Sequence, residues 1–379
     1  MYHIKSIHVI LNQLLWYGFS LCFLSMLLGC DSGGYQSELK HAATHVWTTK
    51  DIPAVEQLIG VPMQQSDQIG KLAKIFLFED RYLAYTSLGP DAKVRIYDLL
   101  EAEWYDTAPE GKGPGECLFP MHLSYDPIKR HLWITDGTTR RLLCYSLDSA
   151  LMRRPLARHS LKEIPLDSVM GHYTFWLNDT TFMVGETSHH GRFSFINHEG
   201  KLIAEKKSVF PPKMNAQISD EMHARIFEGR YIPNQIRTHW MIAGRRSDWI
   251  EIYDSEWEFV MSSFGPDHVV PVTKTINVAG YTSLTSTKET TTPWAGVGAT
   301  DKHFYLLYAG RRRIDTPKDA PDSWYYSGKD VFVMNLEGRV TQHYKLDRDV
   351  VEIKVTSTGD VLYAIDDNIP DIIRYELPQ

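Results

Sequence analysis

Arg311, Arg312 and Arg313 stand together behind Tyr308-Ala309-Gly310 in a chain of formal charge −7, and they head a long loop ending in Trp324-Tyr325-Tyr326. Guanidinium groups grip carboxylates and phosphates bidentately, while aromatic faces stack on sugars or peptide side chains. Long loops on a rigid scaffold are where recognition usually resides. This chemistry points to an anionic or glycan ligand contacted by Arg311, Arg312, Arg313, Trp294, Trp324 and Tyr325. The competing reading is a solvent-facing turn whose arginines pair with Asp315 or Asp319. The Thr-rich segment from Pro266 to Trp294 is either a second part of the same surface or a mobile flap.

Other candidates are weaker. Gly111 to Gly115 resembles a phosphate cradle only superficially, because no G-x-x-x-x-G-K-[ST] is present and Pro114 removes a backbone donor, so a turn is expected. His189-His190 follows Glu186 between two extended segments. Neighbouring residues on an extended backbone point to opposite faces, so exposed loop histidines are expected rather than a metal site. Asp366 and Asp367 meet the same objection and read as a solvated turn. HExxH, GxSxG and a D-x-D-x-D-G calcium loop are absent, so no motif marks a catalyst, and no metal or cofactor is expected.

At the N-terminus a hydrophobic stretch begins near Val9 behind Lys5 and ends in Leu27-Leu28-Gly29-Cys30. This is the form of a bacterial lipoprotein signal peptide over 1–29, with Cys30 as the lipidated first residue of the mature chain. A membrane-spanning helix is the alternative. Asn12 and Gln13 interrupt the stretch, leaving Leu14 to Leu28 short of the roughly 20 residues such a helix wants. The expected location is the cell envelope, anchored to a membrane by lipid, with the outer membrane favoured. Residues 30–44, opening Asp31-Ser32-Gly33-Gly34, read as a flexible linker. Cys22 leaves with the signal, so only Cys117 and Cys144 remain; each sits in an apolar segment, and buried free thiols are expected over a bridge. Loss of Lys5 takes the mature charge to −8, and no basic run interleaved with aromatics exists, which argues against nucleic acid as a partner.

These residues need a scaffold, and the sequence describes one over 45–379. Short aromatic and branched runs bounded by Gly, Asp, Asn and Pro read as many strands. A phrase recurs in which such a strand ends in Asp or Asn: Val94 to Asp98, Phe193 to Asn197, Ile250 to Asp254 and Val331 to Asn335. Leu142 to Tyr145 and Ile372 to Tyr375 are looser copies, and His198-Glu199-Gly200 and Leu336-Glu337-Gly338 read as turns needing positive φ at Gly. Tyr97, Tyr145, Phe195, Tyr253, Met334 and Tyr375 mark intervals of 48, 50, 58, 81 and 41 residues, about the period of a four-stranded propeller blade.

The marks predict an all-β, six-bladed propeller of four-stranded antiparallel blades. The 81-residue interval holds an insertion over Val269 to Pro293. Leu161 to Met170 and Ile218 to Phe227 are candidates for short helices, and two packed β-sandwiches are the rival architecture. The last blade has three strands before the chain ends, so the segment near Val46 and Trp47 is expected to supply its fourth and close the ring.

Glu110-Gly111-Lys112-Gly113-Pro114-Gly115-Glu116, then Pro120, a strand to Tyr125 and His131-Leu132-Trp133-Ile134-Thr135-Asp136, resembles a blade of the NHL-like and TolB-like six-bladed propellers. Cys117 stands where that pattern usually carries Phe. With the lipobox, the chain is similar to TolB-like propeller lipoproteins of Gram-negative anaerobes. The resemblance implies the fold and leaves the chemistry open. Two functions are carried forward: an envelope lipoprotein that binds or scaffolds a protein, peptide or glycan ligand, and a metal-dependent hydrolase of lactonase or esterase type with its site in the central channel.

Overall fold

The computed structural model describes residues 32–63, 72–87, 92–152, 160–169, 171–186, 191–206, 210–214, 218–278, 281–321, 323–368 and 371–378. The expected signal peptide, Cys30 and His189-His190 lie outside the described residues, as does Asp31 of the linker.

Six four-stranded antiparallel blades follow in order. Blade 1 comprises Leu72–Phe78, Tyr82–Ser87, Ala92–Asp98 and Glu103–Pro109; blade 2 comprises Pro120–Asp126, His131–Asp136, Arg141–Ser146 and Lys162–Pro165. Blade 3 comprises Gly171–Asn178, Thr181–Glu186, Phe193–Asn197 and Leu202–Lys206; blade 4 comprises Gly229–Pro233, His239–Gly244, Trp249–Asp254 and Phe259–Phe264. Blade 5 runs through Thr291–Ala299, His303–Arg312 and Gly328–Asn335 into the long strand Val340–Val355, whose second half becomes the inner strand of blade 6 beside Val361–Asp366 and Ile372–Glu376. Each of the six aromatic or Met marks lies on the third strand of its own blade.

Burial explains the strand texture. Each blade packs on neighbours through both faces, so its middle strands read as nearly continuous apolar runs rather than alternating ones. Six hydrophobic clusters lie between successive blades, and the cluster of Ile75, Leu83, Tyr85 and Tyr97 with Val361, Tyr363, Ile365 and Ile372 joins blade 6 to blade 1. That seam closes the ring, which two sandwiches would not need. The turn glycines are as expected: Gly200 and Gly338 both have φ +77°, while the Asn197 and Asn335 side chains accept backbone N–H groups across the turns.

Ring closure differs from expectation in its residues. The N-terminal segment runs along three outer edges: His45–Val46 lies parallel to Ser263-Phe264 of blade 4, Val55–Leu58 parallel to His343–Leu346 of blade 5, and Val61–Pro62 antiparallel to Ile373-Arg374 of blade 6. The fourth strand of the last blade is therefore Val61–Pro62 and not the Val46-Trp47 segment. Trp47 decides this, because its indole is buried against Trp294 and Phe332 between blades 4 and 5, with ring centroids 5.9 and 5.3 Å away. A side chain at Gly265 would put its Cβ 2.5 Å from Trp47, so Gly265 leaves the space the indole needs.

The described part of the expected flexible linker is folded. Ser32–Ala42 forms helix α1, and Tyr35 and Leu39, four residues apart on one face, pack with Ile226, Phe227, Trp249 and Phe264. Helix α2 spans Leu147–Leu151. Helix α3, Asp220–Ile226, falls within the expected Ile218 to Phe227 window and is capped by Ser219. The other window, Leu161 to Met170, contains the strand Lys162–Pro165 instead. The insertion before blade 5 carries a hairpin, Thr273–Val278 with Tyr281–Ser286. Cys117 and Cys144 are buried and unbridged. Among the described residues no helix is long and apolar enough to cross a membrane.

Candidate functional site

The six inner strands surround a channel. A cavity of about 540 Å³ runs along them from Lys74, His122, Tyr173 and Glu352 near the strand starts to Asp80, Asn234 and Ser357 beyond the strand ends. At the mouth where inner strands begin, a second cavity of about 510 Å³ opens, and Arg230 lines both.

The mouth is basic. Arg230, Arg245, Arg246, Lys288 and Arg313 line it, and among its described lining residues there is no carboxylate. Arg245 and Arg246 follow the second strand of blade 4 and turn back onto Glu228, at 2.7 and 3.5 Å. Burial raises the Glu228 carboxyl, but the His172 hydrogen bond and the Arg245 and Arg246 charges outweigh it and hold the group well below the usual carboxylate range. Glu228 thus stays ionised and fixes two guanidiniums. Arg230 donates to the Trp294 carbonyl at 2.9 Å and lies 3.9 Å from Glu352. Gly296 makes room for Glu352, since a Cβ there would sit 2.8 Å from its Oε1. With Glu289, whose charge acts on Lys288, three carboxylates face these five cations, leaving an excess of positive charge where field lines concentrate.

The rim combines stacking faces with hydroxyls. Tyr325 and Tyr326 lie with ring centroids 3.8 Å apart and share a hydroxyl–hydroxyl contact, and Arg313 covers Tyr325 at 5.5 Å. Thr285, Ser286, Thr287, Thr290 and Thr292, from the end of the hairpin, the turn after it and the start of the next strand, line the same cavity.

The structure separates the residues predicted from sequence. Arg313, Tyr325 and Trp294 line the mouth. The Trp294 ring is fully buried in the core between blades 4 and 5. Arg311 donates to the Trp324 carbonyl, the Ser327 hydroxyl and Asp349 at 3.1, 3.1 and 2.6 Å and stacks on Trp324 at 4.4 Å, so these two residues tie the loop to its own blade. Arg312 pairs with Asp315 in solvent. Asp367 accepts a hydrogen bond from Ser327 at 2.8 Å, and Asp366 caps the following turn through Asn368. The Gly111 to Gly115 segment is a turn held by Arg141 and Glu163. Among the described residues no group of three or more His, Cys, Asp or Glu side chains is placed to hold a metal ion.

Sequence reasoning missed Arg230, Arg245 and Arg246. A signal existed for two of them: Ala243-Gly244-Arg245-Arg246 repeats Ala309-Gly310-Arg311-Arg312, each near the end of its blade's second strand.

A family model described as TolB-like 6-blade propeller-like matches residues 83–358. The chain belongs to this family. Among solved structures, this TolB-like propeller is similar to a member of the duf4221 family from Bacteroides vulgatus, with 9% identity, a TM-score of 0.54, and coverage of 85% of this chain and 96% of the other. It also aligns with the β-propeller domain of Cps50 (Swd1) from Myceliophteria thermophila, with 10% identity, a TM-score of 0.46, and coverage of 84% and 100%. No curated protein matches the TolB-like chain.

Proposed function

We propose that the propeller is a binding module that captures an acidic glycan at the basic mouth, held at the cell envelope by a lipid on Cys30. The observation that carries this reading is the pairing of exposed cations with a stacking platform: Arg313 and Lys288 are exposed beside Tyr325 and Tyr326, over a floor of fixed guanidiniums. Guanidiniums meet carboxylates or sulfates, and aromatic faces meet sugar rings. Anchoring rests on the Leu27 to Cys30 motif. The hydrolase alternative calls for carboxylates gathered around a metal in the channel, whereas the three that line it stand apart, Glu79 and Asp80 beyond the strand ends and Glu352 engaged by Lys354 near the strand starts.

An array of acidic glycans, neutral glycans and acidic peptides, probed with the wild type and with Lys288→Ala/Arg313→Ala, tests the reading. The expected pattern is capture of acidic glycans by the wild type and its loss in the double variant. Capture of neutral glycans alone, or equal capture by both proteins, would overturn it.

A further inference from the structure

Below the mouth, the channel wall carries a half-buried ammonium without a matching anion. Lys74 donates to the Met121 carbonyl at 2.6 Å and lies over the Tyr173 ring at 5.2 Å, and it has no carboxylate within ion-pair distance among the described residues. Glu352, the nearest acid acting on it, is engaged by Lys354 at 3.1 Å. An ammonium has three donors, and the Met121 carbonyl takes one of them. Beside it the wall is aromatic: the His122 ring stands 5.4, 5.3 and 4.4 Å from those of Phe76, Tyr173 and Phe175, and Lys354 lies 5.9 Å over Phe76. Burial, with the Lys74 and Lys354 charges, pulls His122 down to about 3, so the ring is a neutral, largely apolar surface.

We propose that the central channel is a second binding site, for a small amphipathic carboxylate, with the carboxylate seated at Lys74, near the charge of Lys354, and the apolar body among Phe76, His122, Tyr173 and Phe175. The cavity volume suits a small molecule, within the roughly 300–1,000 Å³ of such sites. The anion supplies the partner Lys74 lacks, and the aromatic wall excludes water from the pair, which strengthens it. Neither the mouth's tyrosines nor its threonines contribute, so this site is independent of the glycan reading.

Proton linkage gives the site its own signature. Burial, then the charges of Arg245, Arg230 and Lys354 against that of Glu352, lower the Lys74 ammonium to about 7. Lys354 is lowered as well, chiefly by burial. The remaining charged or titratable groups around Lys74 are Arg245, Arg230, Glu352, Tyr173 and His122, the last held neutral by its burial. A bound carboxylate favours the ammonium, so binding above neutral pH takes up a proton.

Calorimetric titration with 4-phenylbutyrate tests this, with 4-phenylbutanol and inorganic phosphate as controls, in buffers of different ionisation enthalpy. The expected result is binding of the carboxylate alone, with proton uptake at pH 8 and an affinity at least tenfold weaker at pH 9 than at pH 6. Lys74→Met should lose at least tenfold in affinity and all of the uptake, whereas Lys288→Ala/Arg313→Ala should bind phenylbutyrate like the wild type. Equal binding of the alcohol or phosphate, affinity flat from pH 6 to 9, or loss of binding in the mouth variant would each overturn the proposal. The pH series uses the wild type, so it tests the site whether or not Lys74→Met folds.

Discussion

Arg192 and Glu251 form a bidentate pair across the boundary between blades 3 and 4, Nε to Oε2 at 3.1 Å and Nη2 to Oε1 at 2.6 Å, with both side chains essentially sealed from water. Trp249 and Tyr253 complete the carboxylate's hydrogen bonds, and the third guanidinium nitrogen donates to the Phe227 carbonyl at 2.5 Å. Phe227 precedes Glu228, the anion that fixes Arg245 and Arg246. A buried pair between blades thus sets the position of the mouth's floor.

Removing one partner leaves the other charge buried and unmatched. Glu251→Ala should cost about 3–5 kcal/mol in denaturant unfolding, while Arg192→Met/Glu251→Met should cost much less than either single change. A loss under about 1 kcal/mol for the single variant would show that water reaches the pair.

The arginine triplet should divide in the same experiment. Arg311→Ala breaks charge-assisted hydrogen bonds to Trp324, Ser327 and Asp349 and should cost about 2 kcal/mol or more. Arg312→Ala removes an exposed pair with Asp315, worth about 0–1 kcal/mol. Equal effects would contradict the assignment of Arg311 to loop anchoring.

Stability should depend on pH through Asp248. Burial pushes its carboxyl up to about 7, although it accepts backbone hydrogen bonds from Asp267 and Val269 at 3.0 and 2.8 Å. Between about pH 4 and that value the folded state holds a proton the unfolded state has released, so this contribution is present at low pH and lost as pH rises toward 7. Asp248→Asn should flatten that part of the melting-temperature curve relative to the wild type. Parallel curves for the two proteins would refute it.

The N-terminal segment should matter in two steps. Deleting residues 30–42 exposes Trp249 and Phe264 and removes Leu39, whose burial alone is worth about 2–5 kcal/mol, so the melting temperature should fall with the ring intact. Deletion through residue 63 also strips the outer strand from Ile373-Arg374 and the Trp47 anchor, and should leave no cooperative transition. Identical melting of the two truncations would mean that the segment does not close the ring.

The fold was legible because each blade repeats its third strand and turn, and a period survives loops of any length. Ring closure was misplaced because Val46-Trp47 and Val61–Pro62 are both short apolar pieces. Which pairs with which edge is decided by the indole's fit beside Trp294, a long-range packing fact with no local signature. Which arginine of the triplet faces solvent depends on Asp349, which lies 38 residues on and is tied to Arg311. Lys74 left no trace in sequence, because a lone lysine in an apolar strand is read the same way whether it points into a channel or to solvent.

Capture of an acidic glycan at the mouth is most directly tested by titrating a purified oligouronate into the wild type and Lys288→Ala/Arg313→Ala at low and at physiological salt. Binding should weaken with salt and fall at least about tenfold, or about 1.4 kcal/mol, in the variant. Wild-type affinity that matches the variant's at both salts would contradict it.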